Sequence, residues 1–99
     1  MQGAIDMKIE LRNIKYAEWN SQETACYQAS VFIDGIKVGE TSNAGHGAAD
    51  MVHPHEVAER IDAYAATLPP LEWDGYVIAQ NHETIFGDLL NAWIEGGAA

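Results

Sequence analysis

Residues 24–42 read TACYQASVFIDGIKVGETS. Ala25, Tyr27, Ala29, Val31 and Ile33 alternate with more polar residues and share one face of a strand. Asp34-Gly35 then supplies the pair that tolerates positive φ at both central positions of a type I′ turn. A hairpin over Thr24–Thr41 follows. Its register sets Ile33 against Ile36 and Val31 against Val38, all on one apolar face. Cys26, Gln28, Ser30 and Lys37 fall on the other face, with Phe32 as its apolar exception.

Upstream, Met7, Ile9 and Leu11 alternate with Lys8, Glu10 and Arg12, the pattern of a half-buried strand. Ile14 and Tyr16 break the parity, and a bulge near Asn13 or the end of the strand explains the slip. Residues 17–23, AEWNSQE, form a polar loop holding Trp19.

Downstream, His53-Pro54-His55-Glu56 reads as a helix start, with Pro54 at the first helical position and His53 as its cap. Glu56 and Glu59 suit the positive end of the dipole. Val57, Ile61, Tyr64 and Leu68 recur on one helical face, and Pro69-Pro70 stops it. LEWDGYVIA contributes a turn at Asp74-Gly75 and an edge strand over Tyr76–Ala79. A second helix starts at Asn81 or Thr84. Ile85, Phe86, Leu89, Leu90, Trp93 and Ile94 form its apolar stripe, and Gly96-Gly97 ends it. Gly87 inside that helix costs about 1 kcal/mol against alanine, which points to close packing there.

The expected fold is α+β in the order β-β-β-α-(β)-α: a three-stranded antiparallel sheet with two helices packed on one face. The 99 residues make one domain over 7–96, preceded by an N-terminal extension over 1–6. No apolar run approaches the roughly 18 residues of a membrane span. The N-terminus lacks the basic and apolar regions of a signal peptide. The single Cys26 excludes an internal disulfide and fits a reducing cytoplasm.

Charge narrows the function. Fifteen acids face five bases, a net of −10. Residues 1–49 hold six acids and four bases, whereas residues 50–99 hold nine acids and only Arg60. Nucleic-acid binders need clustered Lys and Arg. The imbalance therefore argues against direct nucleic-acid binding, including that of a βββα DNA-binding domain, and favours a basic protein surface as partner.

Residues 42–56, SNAGHGAADMVHPHE, gather the side chains most able to do chemistry. His46, Asp50, His53 and His55 could ligate zinc, so a small metal-binding or hydrolytic domain centred on His46–His55 is the alternative function. The spacing matches no zinc motif, and no cofactor is expected. In the structural reading, Gly45 and Gly47 supply turn conformations while Asn43 and Asp50 supply turn hydrogen bonds. Gly45-His46-Gly47 lacks the context of a phosphate loop. Cys26 sits mid-strand, and Ser21, Ser30 and Ser42 lack a nucleophile elbow. These readings favour a protein that is not an enzyme. The candidate partner-binding residues are Glu56, Glu59, Asp62, Glu72 and Asp74, with Trp73 as an apolar anchor. Trp19 and Phe32 are further aromatics placed in a loop or opposite the core face.

The stretch SQETACYQASVFIDGIKVGETSNAGHG, with KIELRNIK before it, resembles a group of small proteins carried by phages, plasmids and bacterial genomes. They share a KIE-type strand, an E-T-x-C-[FY]-x-A segment, an IDG hairpin and an SN-x-GHG loop. The resemblance runs from Met7 to about Trp73 and is carried by Cys26, Asp34, Gly35, Asn43, Gly45, His46 and Gly47. A Gly-Cys often follows the loop in that group, whereas this chain has Ala48-Ala49, which weakens any thiol or metal role there. The group carries no activity over to this chain; its small size, acidic charge and mobile-element context lead to the expectation of an accessory protein that inhibits a host defence complex, in the manner of anti-CRISPR proteins. Such a protein would occupy the basic surface of a nucleic-acid-binding assembly in the host cytoplasm. The oligomeric state, monomer or homodimer, stays open.

Overall fold

The computed structural model describes residues 7–17, 26–45 and 50–96, with Trp73 described by its backbone alone. The expected extension over residues 1–6, together with Trp19 and His46, lies outside the described residues.

The decisive hairpin is present. Strand β2 (Cys26–Ile33) turns at Asp34 and Gly35 into β3 (Ile36–Ala44). The turn residues have φ of 53° and 83°, as a type I′ turn demands. Strand β1 (Ile9–Tyr16) pairs antiparallel with β2. Its register slips between Arg12 and Lys15, and Asn13 takes a φ of 56°. The broken parity of Ile14 and Tyr16 is thus a bulge at Asn13.

The sheet has four strands rather than three. Residues Met51–His53 form β4, paired with β3 in the order β1-β2-β3-β4. The run is too short to show periodicity, and the proline beside it reads as a helix signal. His53 accordingly belongs to the strand and does not cap the helix. Helix α1 runs His55–Ala65 with Pro54 as N-cap.

A second departure lies in β3. Val31 pairs with Gly39 rather than Val38, because the register shifts by one residue between Val31 and Phe32. Gly39 explains why the shift is kept. A Cβ there would lie 2.5 Å from the His53 carbonyl oxygen and 3.2 Å from the Pro54 ring, so β3 passes close to the entry of α1. Ile33 does pair with Ile36, but Ile36 is 67% exposed at the turn and takes no part in the core.

Helix α1 ends at Ala65, short of Leu68, and places Val57, Ala58, Ile61 and Ala65 inward. Residues Leu71–Trp73 (β5) and Tyr76–Ile78 (β6) form a separate two-stranded sheet where one edge strand was expected. Helix α2 (His82–Glu95) begins with a full capping box. The Asn81 side chain accepts from the Thr84 amide at 3.0 Å, and the Asn81 amide donates to Thr84 Oγ1 at 3.0 Å. No heavy atom lies within 4 Å of a Cβ built on Gly87, so close packing does not explain that glycine.

The core forms where β2 meets both helices. Val31 and Ile33 pack with Val57, Ile61 and Phe86. Tyr27 and Ala29 pack with Leu90. Met7, Ile9 and Leu11 close the first cluster from the β1 side. The helices therefore cover one face of the four-stranded sheet and leave the other open. No described helix is long and apolar enough to cross a membrane.

Candidate functional site

At the far end of the hairpin, Asn43 and Asp50 meet across the base of the 43–56 segment. Asn43 Nδ2 donates to Asp50 Oδ1 at 3.0 Å, and Asn43 Oδ1 accepts the Gly45 amide at 2.8 Å. Gly45 has a φ of 86°, a conformation that side chains disfavour. Tyr27 Oη lies 3.0 Å from Thr41 Oγ1 beside this clasp. Burial holds the Tyr27 phenol well above the usual tyrosine range; the Thr41 hydrogen bond opposes this in part, and the nearby Asp50 charge adds to it.

The described candidates of the metal alternative do not converge. Asp50 sits near Tyr27, whose side chain belongs to the inner layer of the sheet. His53 pairs with Glu40 and faces the open side, where it lines a depression with Ser30, Ser42 and Met51. His55 is exposed at the start of α1. His46 lies outside the described residues. Among the described residues no three His, Cys, Asp or Glu side chains converge on one point. Cys26 is half-buried at the start of β2.

The acidic candidates occupy α1 and the β5–β6 hairpin. Glu56 and Glu59 are exposed on α1. Asp62 is committed elsewhere. Its Oδ1 accepts the His82 amide at 2.7 Å and lies 2.8 Å from His82 Nδ1, so it ties the end of α1 to the start of α2. His82 in turn meets the Phe86 ring edge-on, with centroids 6.0 Å apart. Glu72 is exposed on β5, and Asp74 is exposed in the turn with a φ of 51°. Trp73 is on β5, opposite Tyr76. Among the described residues, the carboxylates of Glu56, Glu59, Glu72 and Asp74 have no ion-pair partner.

Four of the five bases lie elsewhere, and the fifth, Arg60, stands on α1 beside Glu59. Arg12, Lys15 and Lys37 belong to the four-stranded sheet and Lys8 lies directly before it. Arg12 stands 4.2 Å over the Phe32 ring and donates to Glu10 Oε1 at 3.0 Å. Lys37 Nζ is 3.7 Å from Glu40 Oε2. Phe32 is thus a half-covered seat for Arg12 rather than a bare aromatic. The sheet holds most of the positive charge, and the helices and second hairpin hold most of the negative charge.

Tyr76, Val77 and Ile78 were not among the sequence candidates. They are 68%, 66% and 40% exposed. The signal was present: LEW-DG-YVI repeats the strand–Asp-Gly–strand grammar of the first hairpin. No protein-family model matches the chain, and no curated protein and no solved structure matches it.

Proposed function

We propose that this chain is a non-enzymatic, acidic protein-binding module that docks on the basic surface of a nucleic-acid-binding complex. Its proposed biological setting, which rests on small size, acidic charge and the mobile-element context of the group that residues 7–73 resemble, is an accessory protein that inhibits a host defence assembly in the anti-CRISPR manner. The observation that supports the docking reading is the separation of charge. Glu56, Glu59, Glu72 and Asp74 stand exposed and without an ion-pair partner among the described residues on α1 and the β5–β6 hairpin, where Arg60 is the one base, whereas Lys8, Arg12, Lys15 and Lys37 lie on or directly before the four-stranded sheet. Unpaired surface carboxylates cost little in stability and are available to steer a cationic partner.

The test is affinity capture from bacterial lysate with the tagged chain, beside a Glu56→Lys/Glu59→Lys variant that melts at the parent temperature. The reading expects captured proteins to be basic and nucleic-acid-binding, to elute between low and high salt, and to be lost with the reversed charges. Capture indifferent to salt and to the reversal would refute it. The metal alternative has its own readout: one equivalent of zinc by elemental analysis, with the fold lost on chelation, would replace the docking reading.

A further inference from the structure

We infer that the outer edge of β6 takes up an extended, basic segment of the partner as a third strand. The inference rests on the docking reading above and adds the mode of capture and the sequence pattern captured.

Trp73 and Tyr76 flank a two-residue turn and form the hydrogen-bonded pair next to it. The following pair, Glu72 and Val77, is then a non-hydrogen-bonded pair. Its N–H and C=O groups point away from the hairpin, toward its two outer edges. Among the described residues nothing outside the hairpin bonds the Val77 or Ala79 amide. Val77 and Ala79, two residues apart, give the β6 edge two outward donors. The β5 edge offers Glu72, but two residues before it stands Pro70, which has no N–H. The Gln80 side chain donates to the Pro69 carbonyl at 2.9 Å and braces the open end of the hairpin.

The other free edges are closed to such a partner. The β1 edge is bent by the Asn13 bulge and carries Lys8, Arg12 and Lys15, which repel a basic strand. The β4 edge is three residues long and ends at Pro54.

The hairpin also states what the third strand should contain. Tyr76 and Ile78 share one face with Leu71, while Val77 shares the other with Glu72. An incoming residue beside Val77 lies two strand spacings, roughly 9.5–10 Å, from Glu72. A lysine or arginine there spans Val77 and reaches the Glu72 carboxylate. Its neighbours fall beside Tyr76 and Ile78 and are apolar. The captured pattern is apolar–basic–apolar, the side-chain alternation by which strand addition gains specificity.

The probe is a capped heptapeptide of alternating valine and lysine, titrated into the full chain and followed by amide NMR. A peptide of alternating valine and glutamate is the comparison. The lysine peptide is expected to shift the Val77 and Ala79 amides and the glutamate peptide is not. Val77→Pro removes one outward donor without touching the bonds inside the hairpin, and should weaken binding about tenfold against Val77→Ala. Both variants should melt near the parent. Equal binding to both variants would overturn strand addition. If Glu72→Lys then still weakens the peptide, the docking reading survives without it. Equal binding of the two peptides would sink both. A free chain that is dimeric and becomes monomeric with Val77→Pro would also overturn the proposal, because the edge would then be paired with a second copy.

Discussion

The molecule contains the same turn twice. Asp34-Gly35 and Asp74-Gly75 adopt φ of 53° and 83° against 51° and 84°, and each closes an antiparallel hairpin. Their strands meet opposite ends. In the first hairpin Val31 and Ile33 are sealed beneath both helices. In the second, Tyr76, Val77 and Ile78 face water. The two aspartates differ in the same way. Asp34 Oδ1 accepts the Lys8 amide at 3.0 Å, and the Asp34 amide donates to the Lys8 carbonyl at 2.8 Å, so this turn is stitched to the head of β1. Asp74 has no hydrogen-bond partner among the described residues. Turn chemistry makes a hairpin. What the hairpin then does depends on whether other elements close over it.

Truncation separates the two hairpins most widely. Val31→Ala should cost roughly 1–3 kcal/mol, as buried large-to-small changes do. Val77→Ala should stay within about 0.5 kcal/mol in the same denaturant titration, as exposed substitutions do. Similar losses would mean that the second hairpin is packed, and the contrast would collapse.

Alkaline pH probes the interior of the first hairpin through Tyr27. The folded-state pKa of Tyr27 is raised above that of the unfolded chain. Its contribution is therefore fully present below about pH 10 and declines as pH rises toward the folded value. Within that window stability should fall by up to about 1.4 kcal/mol per pH unit from this one group. Tyr27→Phe should flatten the decline. An unchanged slope in that variant would show that the phenol is not the group responsible.

The aspartates give the finest comparison. Each Asp→Ala change discards the same positive-φ preference, but only Asp34 also gives up the Lys8 amide. The excess loss at position 34 over position 74 should be about 0.5–1.5 kcal/mol, the net worth of one hydrogen bond. Equal losses would show that the stitch to β1 adds nothing in solution.

What could be read from the sequence was what is decided locally. The first turn needs only Asp34 and Gly35, and the bulge at Asn13 announces itself as a parity slip one residue long. The α2 start is written in Asn81 and Thr84. The features that escaped depend on distant partners. Gly39 is required by the His53 carbonyl, which reaches β3 only after the chain returns as β4. Asp62 looked like a free surface acid until His82, twenty residues on, claimed it. The exposure of Tyr76–Ile78 is invisible in an apolar triplet, because burial is a property of what surrounds a strand. Of the candidate acids, Glu56, Glu59, Glu72 and Asp74 lie where a partner could meet them. Asp62 is a brace between helices.

The strand order of the larger sheet has a kinetic consequence. Every strand in β1-β2-β3-β4 pairs with its immediate predecessor, so no pairing waits for a crossover or for the last third of the chain. Contacts so close in sequence form early and cheaply, because little loop entropy is spent in closing them. The meander can assemble while synthesis continues, but its inner face is then bare. Phe86 and Leu90, which complete the two halves of the core, are among the final fifteen residues. A chain cut just before Asn81 would keep α1 over Val31 and Ile33 but would leave Tyr27 and Ala29 without Leu90, and would be prone to aggregate.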